Sequence, residues 1–119
     1  MSKILDYNKV CEAVKKVDSK IRFAGVINPR GIIVAGGMKD KVEPFESKKD
    51  DEMLFMELAL RVRMRKEFDE QLGKVKFAMA LREKALAMSF PITGDVLYVY
   101  SNPDVDFKEL STKIRELVK

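Results

Sequence analysis

The chain contains no histidine and no tryptophan, and only one of its 119 residues is a cysteine. Without histidine there is no Ser-His-Asp triad and no imidazole general base, which excludes much of ordinary hydrolytic catalysis. A single thiol cannot supply the usual ligands of a zinc site, and it cannot form an intramolecular disulfide. These absences favour a protein that is not an enzyme, and we expect it to use no cofactor.

Long apolar runs are missing too. The longest uninterrupted apolar stretches span about five residues, whereas a helix needs about 20 to cross a bilayer. Lys and Arg total 23 and Asp and Glu total 19, and the resulting net charge of +4 is spread along the chain. We therefore expect a cytoplasmic protein that does not insert into a membrane, and this dispersed charge makes nucleic acid an unlikely partner.

What the chain does contain is enough apolar material for one domain over residues 1–119, since 46% of its residues are hydrophobic. Apolar residues recur every three or four positions over about residues 3–19, which predicts an amphipathic first helix. Two short β-branched runs, 21–27 and 31–36, flank Asn28-Pro29-Arg30-Gly31. Because proline presets a turn dihedral and glycine tolerates the closing position, these runs are predicted to form a hairpin.

The second half of the chain also alternates between the helical spacing of three or four residues and the two-residue spacing of strands. A second helix is predicted from about residue 50 to residue 68, because acids at 50–52 suit a helix N-terminus. Residues 73–82, 85–90 and 96–100 are predicted strands, with Pro91 weakening the end of the middle one. Helical spacing over 107–118 predicts a final helix. The order α-β-β-α-β-β-β-α predicts an α+β sandwich in which helices flank a five-stranded, mainly antiparallel sheet.

Three passages carry a resemblance to a known family: the hairpin from Phe23 to Gly37, the long apolar helix that begins near Asp50, and the closing strand and helix that begin at Gly94. Over about residues 3–118 they resemble the roadblock / dynein light chain family, within the wider profilin-like and longin-like group. The resemblance implies a homodimer in which the central helices pack together and the third strands pair edge to edge. It also implies a scaffold or regulatory role, in which some members bind small Ras-like GTPases. The loop at 38–49 is longer than the tight connection that the resemblance leads us to expect.

The second helix carries more apolar surface than one contact face needs. At about 100° per residue, four apolar side chains share one side of it, and Phe55, Ala59 and Val62 lie on the opposite side. Either the helix is buried all round within a monomer, or one of the two sides meets another molecule. We predict a dimer interface on this helix and the third strand, made of Met53, Met56, Leu60, Met64, Lys74, Lys76, Ala78 and Ala80.

The cations of this helix are a second candidate site. Arg61 and Arg65 lie one helical turn apart and are predicted contacts for a protein partner, whereas Arg63 points about 160° away from either. The simpler interpretation is a solvated helix end whose cations complement the helix dipole. The acids at 50–52 are likewise more simply read as capping residues than as a metal site. Small residues on the strands leave room for a ligand, so the alternative function is a small-molecule sensor domain of the profilin or PAS type.

Overall fold

The structure is a computed structural model that describes residues 5–40 and 47–119. The five strands of these residues form one sheet in the order β2-β1-β5-β4-β3, and every neighbouring pair is antiparallel. The predicted α+β architecture is confirmed. The elements in chain order are α1 (Tyr7–Lys15), β1 (Ile21–Ile27), β2 (Ile33–Met38), α2 (Lys48–Lys66), α3 (Asp69–Leu72), β3 (Ala78–Leu81), β4 (Leu86–Ile92), β5 (Asp95–Ser101) and α4 (Phe107–Leu117).

The centre of the sheet is β5, the strand that is apolar on both faces. It pairs with β1 on one side and β4 on the other, and four consecutive residues from Val96 are buried. The predicted hairpin joins β1 to β2. Asn28 closes its turn, since the side-chain Oδ1 accepts hydrogen bonds from the backbone N–H groups of Arg30 and Ile32. Gly31 occupies the left-handed region at φ 78°, which suits a residue without a Cβ.

One face of the sheet is covered by α1 and α4, and we call it the α1–α4 face. Both helices begin at an aspartate whose side chain accepts backbone N–H bonds, Asp6 for α1 and Asp106 for α4. Each buries one apolar stripe against the sheet and leaves its other side polar. The main core lies here, with Val10, Cys11, Val14, Leu110 and Ile114 from the helices packed on buried strand residues that include Leu86, Met88, Phe90, Leu97 and Val99.

The third strand is shorter than predicted and begins at Ala78, so the expected strand over 73–77 is wrong. The reason lies in Pro91, which β4 includes rather than ending before it. The turn at Thr93 and Gly94 makes Ile92 and Asp95 the hydrogen-bonded pair of the hairpin, so the nitrogen of Pro91 faces the β3 side. A proline nitrogen has no hydrogen to donate, and the β3–β4 ladder therefore ends before reaching it.

The helices also differ from the predicted ones at their ends. Within the described residues α1 begins at Tyr7, and the predicted first residues of this helix lie partly outside that range. The second helix begins at Lys48, with Ser47 as its N-cap, so the acids at 50–52 lie inside the helix and do not cap it. A short helix, α3, follows it and was not predicted. Much of the predicted loop at 37–49 falls at residues 41–46, outside the described residues.

Candidate functional site

The opposite face of the sheet is covered by α2 alone, and we call it the α2 face. This 19-residue helix buries only two side chains, Phe55 and Leu58, with Val62 half-buried beside them. Ser47 fixes its start by accepting a hydrogen bond from the N–H of Asp50 at 3.2 Å. Asp50 and Asp51 then lie in the first turn, where a negative charge complements the helix dipole.

Aromatic rings connect α2 to the sheet. The ring of Phe55 lies 5.8 Å from that of Phe23 on β1 and 6.3 Å from that of Tyr98 on β5. The ring of Tyr98 lies 4.7 Å from that of Tyr100, and the ring of Phe23 lies 5.4 Å from that of Tyr100. Offset and tilted contacts of this kind hold ring pairs at separations that small aliphatic side chains cannot span. A single row of large side chains therefore fixes which side of α2 faces the sheet.

That row leaves the predicted apolar stripe of α2 on the outside. Its four members lie on one side of the helix, opposite to the side that carries Phe55 and Val62, as the helical wheel predicts. We call them the methionine stripe. Their exposed fractions are 62% for Met53, 58% for Met56, 58% for Leu60 and 66% for Met64. In the structure, therefore, α2 is not deeply buried within the single chain.

The β1–β2 hairpin extends the methionine stripe sideways. A Cβ at Gly31 would lie 2.9 Å from the Cα of Met56, so the turn contacts the α2 backbone directly. Ile32 follows with half of its surface exposed. Beside this contact, a cleft of about 600 Å³ opens between the hairpin and the first half of α2; Phe23, Ile33 and Phe55 are among its lining residues. The apolar surface thus spans a helix and an adjoining turn.

The edge strand β3 bounds the α2 face on its other side. Ala78 and Ala80 pair with Ser89 and Ala87 of β4, which places them on the side of the sheet that α2 covers. Lys74 and Lys76, assigned to the strand by the prediction, precede it and are exposed. Of the predicted interface, the structure thus brings the methionine stripe and the two alanines to one side of the sheet, and it places the two lysines outside the strand.

Arg61 and Arg65 lie on the β3 side of α2, while Arg63 lies on the other side, where it lines a small cavity together with Pro29. Arg61 is exposed and forms an ion pair with Glu57 at 3.4 Å. Arg65 is half-buried, and its Nη1 donates a hydrogen bond to Ser89 Oγ at 3.4 Å. Burial lowers the pKa of Arg65, and the positive charge of Arg61 lowers it further. The two arginines therefore lie in different environments.

Two lining residues of this region, Arg82 and Ser89, were not among the predicted site residues. Arg82 and Ser89 line the same groove of about 200 Å³ as Arg61 and Arg65. A larger cleft of about 440 Å³ lies at the end of α2, bounded by Lys74, Asp69 and the turn between β4 and β5. Only the position of Pro91, which shows where the β3–β4 ladder must end, could have pointed to an opening here.

Neither a metal cluster nor a membrane span is found in the part of the chain that the structure describes. No group of three or more His, Cys, Asp or Glu side chains is arranged to hold a metal ion there. None of the helices in residues 5–40 and 47–119 is long and apolar enough to cross a bilayer.

Comparison of the sequence with protein families gives one match that spans almost the whole chain. The matching model describes DUF6659, a family of unknown function, and it covers residues 2–119. The chain belongs to this family. A search of curated proteins finds no relative of this DUF6659 chain.

Solved structures identify the fold of this DUF6659 chain. The roadblock/LC7 domain from Streptomyces avermitilis is similar, with a TM-score of 0.71 and 11% identity over 96% of this chain and 92% of that one. MglB from Myxococcus xanthus has a TM-score of 0.73 and 13% identity, over 98% and 92%. A profilin from Schizosaccharomyces pombe has a TM-score of 0.65 and 10% identity, over 95% and 94%. The predicted resemblance to roadblock domains within a profilin-like group is confirmed as a likeness of fold.

Proposed function

We propose that this chain is a non-enzymatic, homodimeric scaffold or regulatory module, and that its dimer binds a small Ras-like GTPase or another protein. The observation that carries the proposal is the methionine stripe, a row of apolar side chains on the outer side of α2. Exposed apolar surface of this kind usually belongs to an interface. Methionine suits such a surface because its flexible, polarisable side chain adapts to the partner.

The charges of α2 support a second copy as the partner on this surface. In its first half four acids, Asp50, Asp51, Glu52 and Glu57, outnumber the two lysines at 48 and 49, and its second half has four cations, Arg61, Arg63, Arg65 and Lys66, and no acid. Two copies related by a two-fold axis near Leu60 would run antiparallel, so that the acidic half of each helix faces the basic half of the other. The midpoint of the methionine stripe lies within two residues of the same position, and one arrangement therefore covers the apolar surface and matches the charges.

The edge strand β3 supports the same arrangement. One side of β3 pairs with β4, and no strand of the described residues pairs with the other side. An edge strand of this kind can pair with a copy of itself across a two-fold axis, which would join the two sheets. Ala78 and Ala80 lie on the α2 side and leave space there for the helix of the second copy. Lys74 and Lys76, just before the strand, would flank the pairing.

The proposed protein partner rests on the resemblance to roadblock domains and on Arg61. That side chain is exposed on the β3 side of α2 and is held only by a surface ion pair, which contributes little to stability. It can therefore exchange Glu57 for an acidic side chain of a partner at small cost. Mixing the protein with Ras-like GTPases of the same organism, each loaded with GDP or a GTP analogue, tests this step by size-exclusion chromatography. Loss of a complex on Arg61→Glu supports the proposal, and absence of any complex with the wild-type protein contradicts it.

Light scattering at micromolar concentration tests the dimer. We expect the wild-type protein to have twice the mass of the 13.6 kDa chain, and Leu60→Glu to have the mass of one chain. The matched control is Leu117→Glu, which places the same charge on α4, on the other face of the sheet. It should leave the dimer intact. A wild-type mass of 13.6 kDa, or a Leu60→Glu variant that remains dimeric, contradicts the proposed interface.

A further inference from the structure

Arg65 is a half-buried cation that has no counter-charge in the described residues. Five ion pairs are formed within residues 5–40 and 47–119, and none of them includes Arg65. Its one hydrogen bond to another side chain goes to the neutral hydroxyl of Ser89, at the long distance of 3.4 Å. Taking a guanidinium out of water without an anionic partner costs free energy, since the lost hydration is not replaced. An anion that reached Arg65 would recover that cost.

A cleft gives an anion access to this side chain. Arg65 forms part of the wall of the 440 Å³ cleft at the end of α2, together with Lys66 and Lys74. The three cations come from two different elements, α2 and the segment that follows α3. They share the cleft with Ser89 and with the β4–β5 turn at Thr93. A volume of this size is within the usual range of about 300–1,000 Å³ for small-molecule sites.

Two acids in the same cleft limit what it can hold. Asp69 and Asp95 also line it, and neither forms an ion pair with Arg65, Lys66 or Lys74 among the described residues. Asp95 is held by Tyr7, whose hydroxyl donates a hydrogen bond to Oδ2 at 2.8 Å. A polyanion would meet repulsion from these carboxylates. A compact ligand with one anionic group and some hydroxyls can instead match both the cations and the carboxylates of the cleft, because carboxylates accept hydrogen bonds from hydroxyls.

We propose that this cleft binds a small phosphomonoester, with the phosphate on Arg65, Lys66 and Lys74 and with hydroxyl groups donating to Asp69 or Asp95. The planar guanidinium of Arg65 suits bidentate contact with phosphate oxygens, and the two ammonium groups add charge. The cleft lies beside the buried side of α2 and the methionine stripe lies on its outer side, so of the three cations only Lys74, which flanks the proposed β3 pairing, is shared with the proposed dimer. The light-scattering mass of Lys74→Gln is therefore measured together with its ligand binding. Ligand binding at this position would add a sensor role to an interaction module.

The test is titration calorimetry and thermal unfolding with glycerol 3-phosphate and with inorganic phosphate, against sodium chloride at equal ionic strength. We expect glycerol 3-phosphate to raise the melting temperature of the wild-type protein more than inorganic phosphate does, and chloride not to raise it. Arg65→Gln should weaken binding by about tenfold or more, since it removes a charge-assisted bidentate contact. Arg115→Gln on α4 is the matched control, and it should bind as the wild type does.

The melting temperature without ligand shows whether a loss of binding comes from misfolding. Arg65→Gln removes an uncompensated charge, so the variant should melt at or above the wild-type temperature in chloride. A second variant, Lys74→Gln, lies in an exposed segment and tests the same site with little risk to the fold. Ligand shifts that are equal in wild type, Arg65→Gln and Lys74→Gln overturn the proposal. So does a wild-type protein that shows no shift with either phosphate compound and no binding to the vesicles below.

A phosphomonoester can also be a lipid headgroup, and a sedimentation assay separates the two sources. Vesicles of phosphatidylcholine with phosphatidic acid present the group on a surface, and vesicles of phosphatidylcholine alone do not. Binding to the first kind that requires Arg65, without a response to glycerol 3-phosphate, assigns the site to a lipid. A response to glycerol 3-phosphate that requires Arg65 assigns it to a soluble metabolite. Ligand binding, vesicle binding and the light-scattering mass are measured on the same protein samples. Failure of the proposed dimer and failure of the proposed anion site are therefore distinguished.

Discussion

The two faces of the sheet differ in how completely they are covered. On the α1–α4 face two helices each bury one apolar stripe, and the packing is so close that Cys11 and the carbonyl of Ala24 leave no room for a Cβ at Gly36. On the α2 face one helix buries Phe55 and Leu58 and exposes twice as many apolar side chains, the four of the methionine stripe. Both faces have enough apolar residues for a core, but only one has enough elements to enclose it. The difference teaches that a helix with one apolar stripe buries it fully against the sheet. A helix with two apolar sides buries one against the sheet and needs a further contact to cover the other.

The largest effect is expected from removing a core side chain on the complete face. Ile114 on α4 is fully buried, and Ile114→Ala should lower the free energy of unfolding by about 2–5 kcal/mol, from lost burial and the cavity left behind. Leu60→Ala on α2 removes an exposed side chain and should change the stability of a single chain by no more than about 0.5 kcal/mol. Urea unfolding at several protein concentrations measures both effects.

These two substitutions also separate the faces by their concentration dependence. Because the methionine stripe is proposed to lie between two chains, Leu60→Ala should weaken the dependence of the unfolding midpoint on protein concentration. Ile114→Ala should shift the midpoint by a similar amount at every concentration. A midpoint that depends equally on concentration in wild type and Leu60→Ala would contradict the placement of the methionine stripe between two chains.

A somewhat smaller effect is expected from filling the close approach on the α1–α4 face. A Cβ at Gly36 would lie 2.2 Å from the carbonyl oxygen of Ala24 and 2.7 Å from Cys11 Sγ, and the residue has φ 78°. Gly36→Ala should therefore cost about 2–4 kcal/mol, as left-handed backbone strain and overpacking add. Gly94 has φ 88° and open space around it, so Gly94→Ala isolates the backbone strain alone. Thermal unfolding of both variants checks this, and equal losses would disprove tight packing at Gly36.

The smallest effect is expected from alkaline pH, and it arises on the same complete face. Burial raises the pKa of the Cys11 thiol, with Lys15 opposing and Glu12 adding to this effect. The unfolded thiol loses its proton first, so the unfolded state binds fewer protons and stability falls as pH rises above about 8.5. The slope is at most about 1.4 kcal/mol per pH unit for one group. Urea unfolding of wild type and Cys11→Ala over this range measures it, and equal slopes would show that the thiol does not contribute.

Much of the fold could be predicted from residue spacing. The hairpin at Asn28–Gly31, the central position of β5 and the helices at both ends of the chain follow from periods of two and 3.6 residues and from turn chemistry. The shortening of β3 could not be predicted in this way. It depends on which side of β4 the nitrogen of Pro91 faces, set by the turn at Thr93 and Gly94 two residues further on, and on β3 being the strand that pairs on that side.

The candidate site was likewise predictable only in part. The helical wheel gave two apolar sides of α2, because the positions of side chains around a helix follow directly from the sequence. It could not say which side is buried, and the ring contacts of Phe55 with Phe23 and Tyr98 decide that. Arg65 shows the limit more sharply. Its spacing from Arg61 is one turn, yet its hydrogen bond goes to Ser89, 24 positions away, and its cleft is bounded partly by the β4–β5 turn, which lies further along the chain.

The sequence by itself therefore determined what this protein lacks and which elements it forms. The absence of histidine and the single cysteine limit its chemistry, and local periodicity determines its helices and strands, because both depend only on composition and near neighbours. The tertiary structure decided which surface is left over. Whether a side chain is buried depends on how many elements meet at its position. Two helices cover one face of this sheet, but α2 alone covers the other, so α2 stays partly exposed.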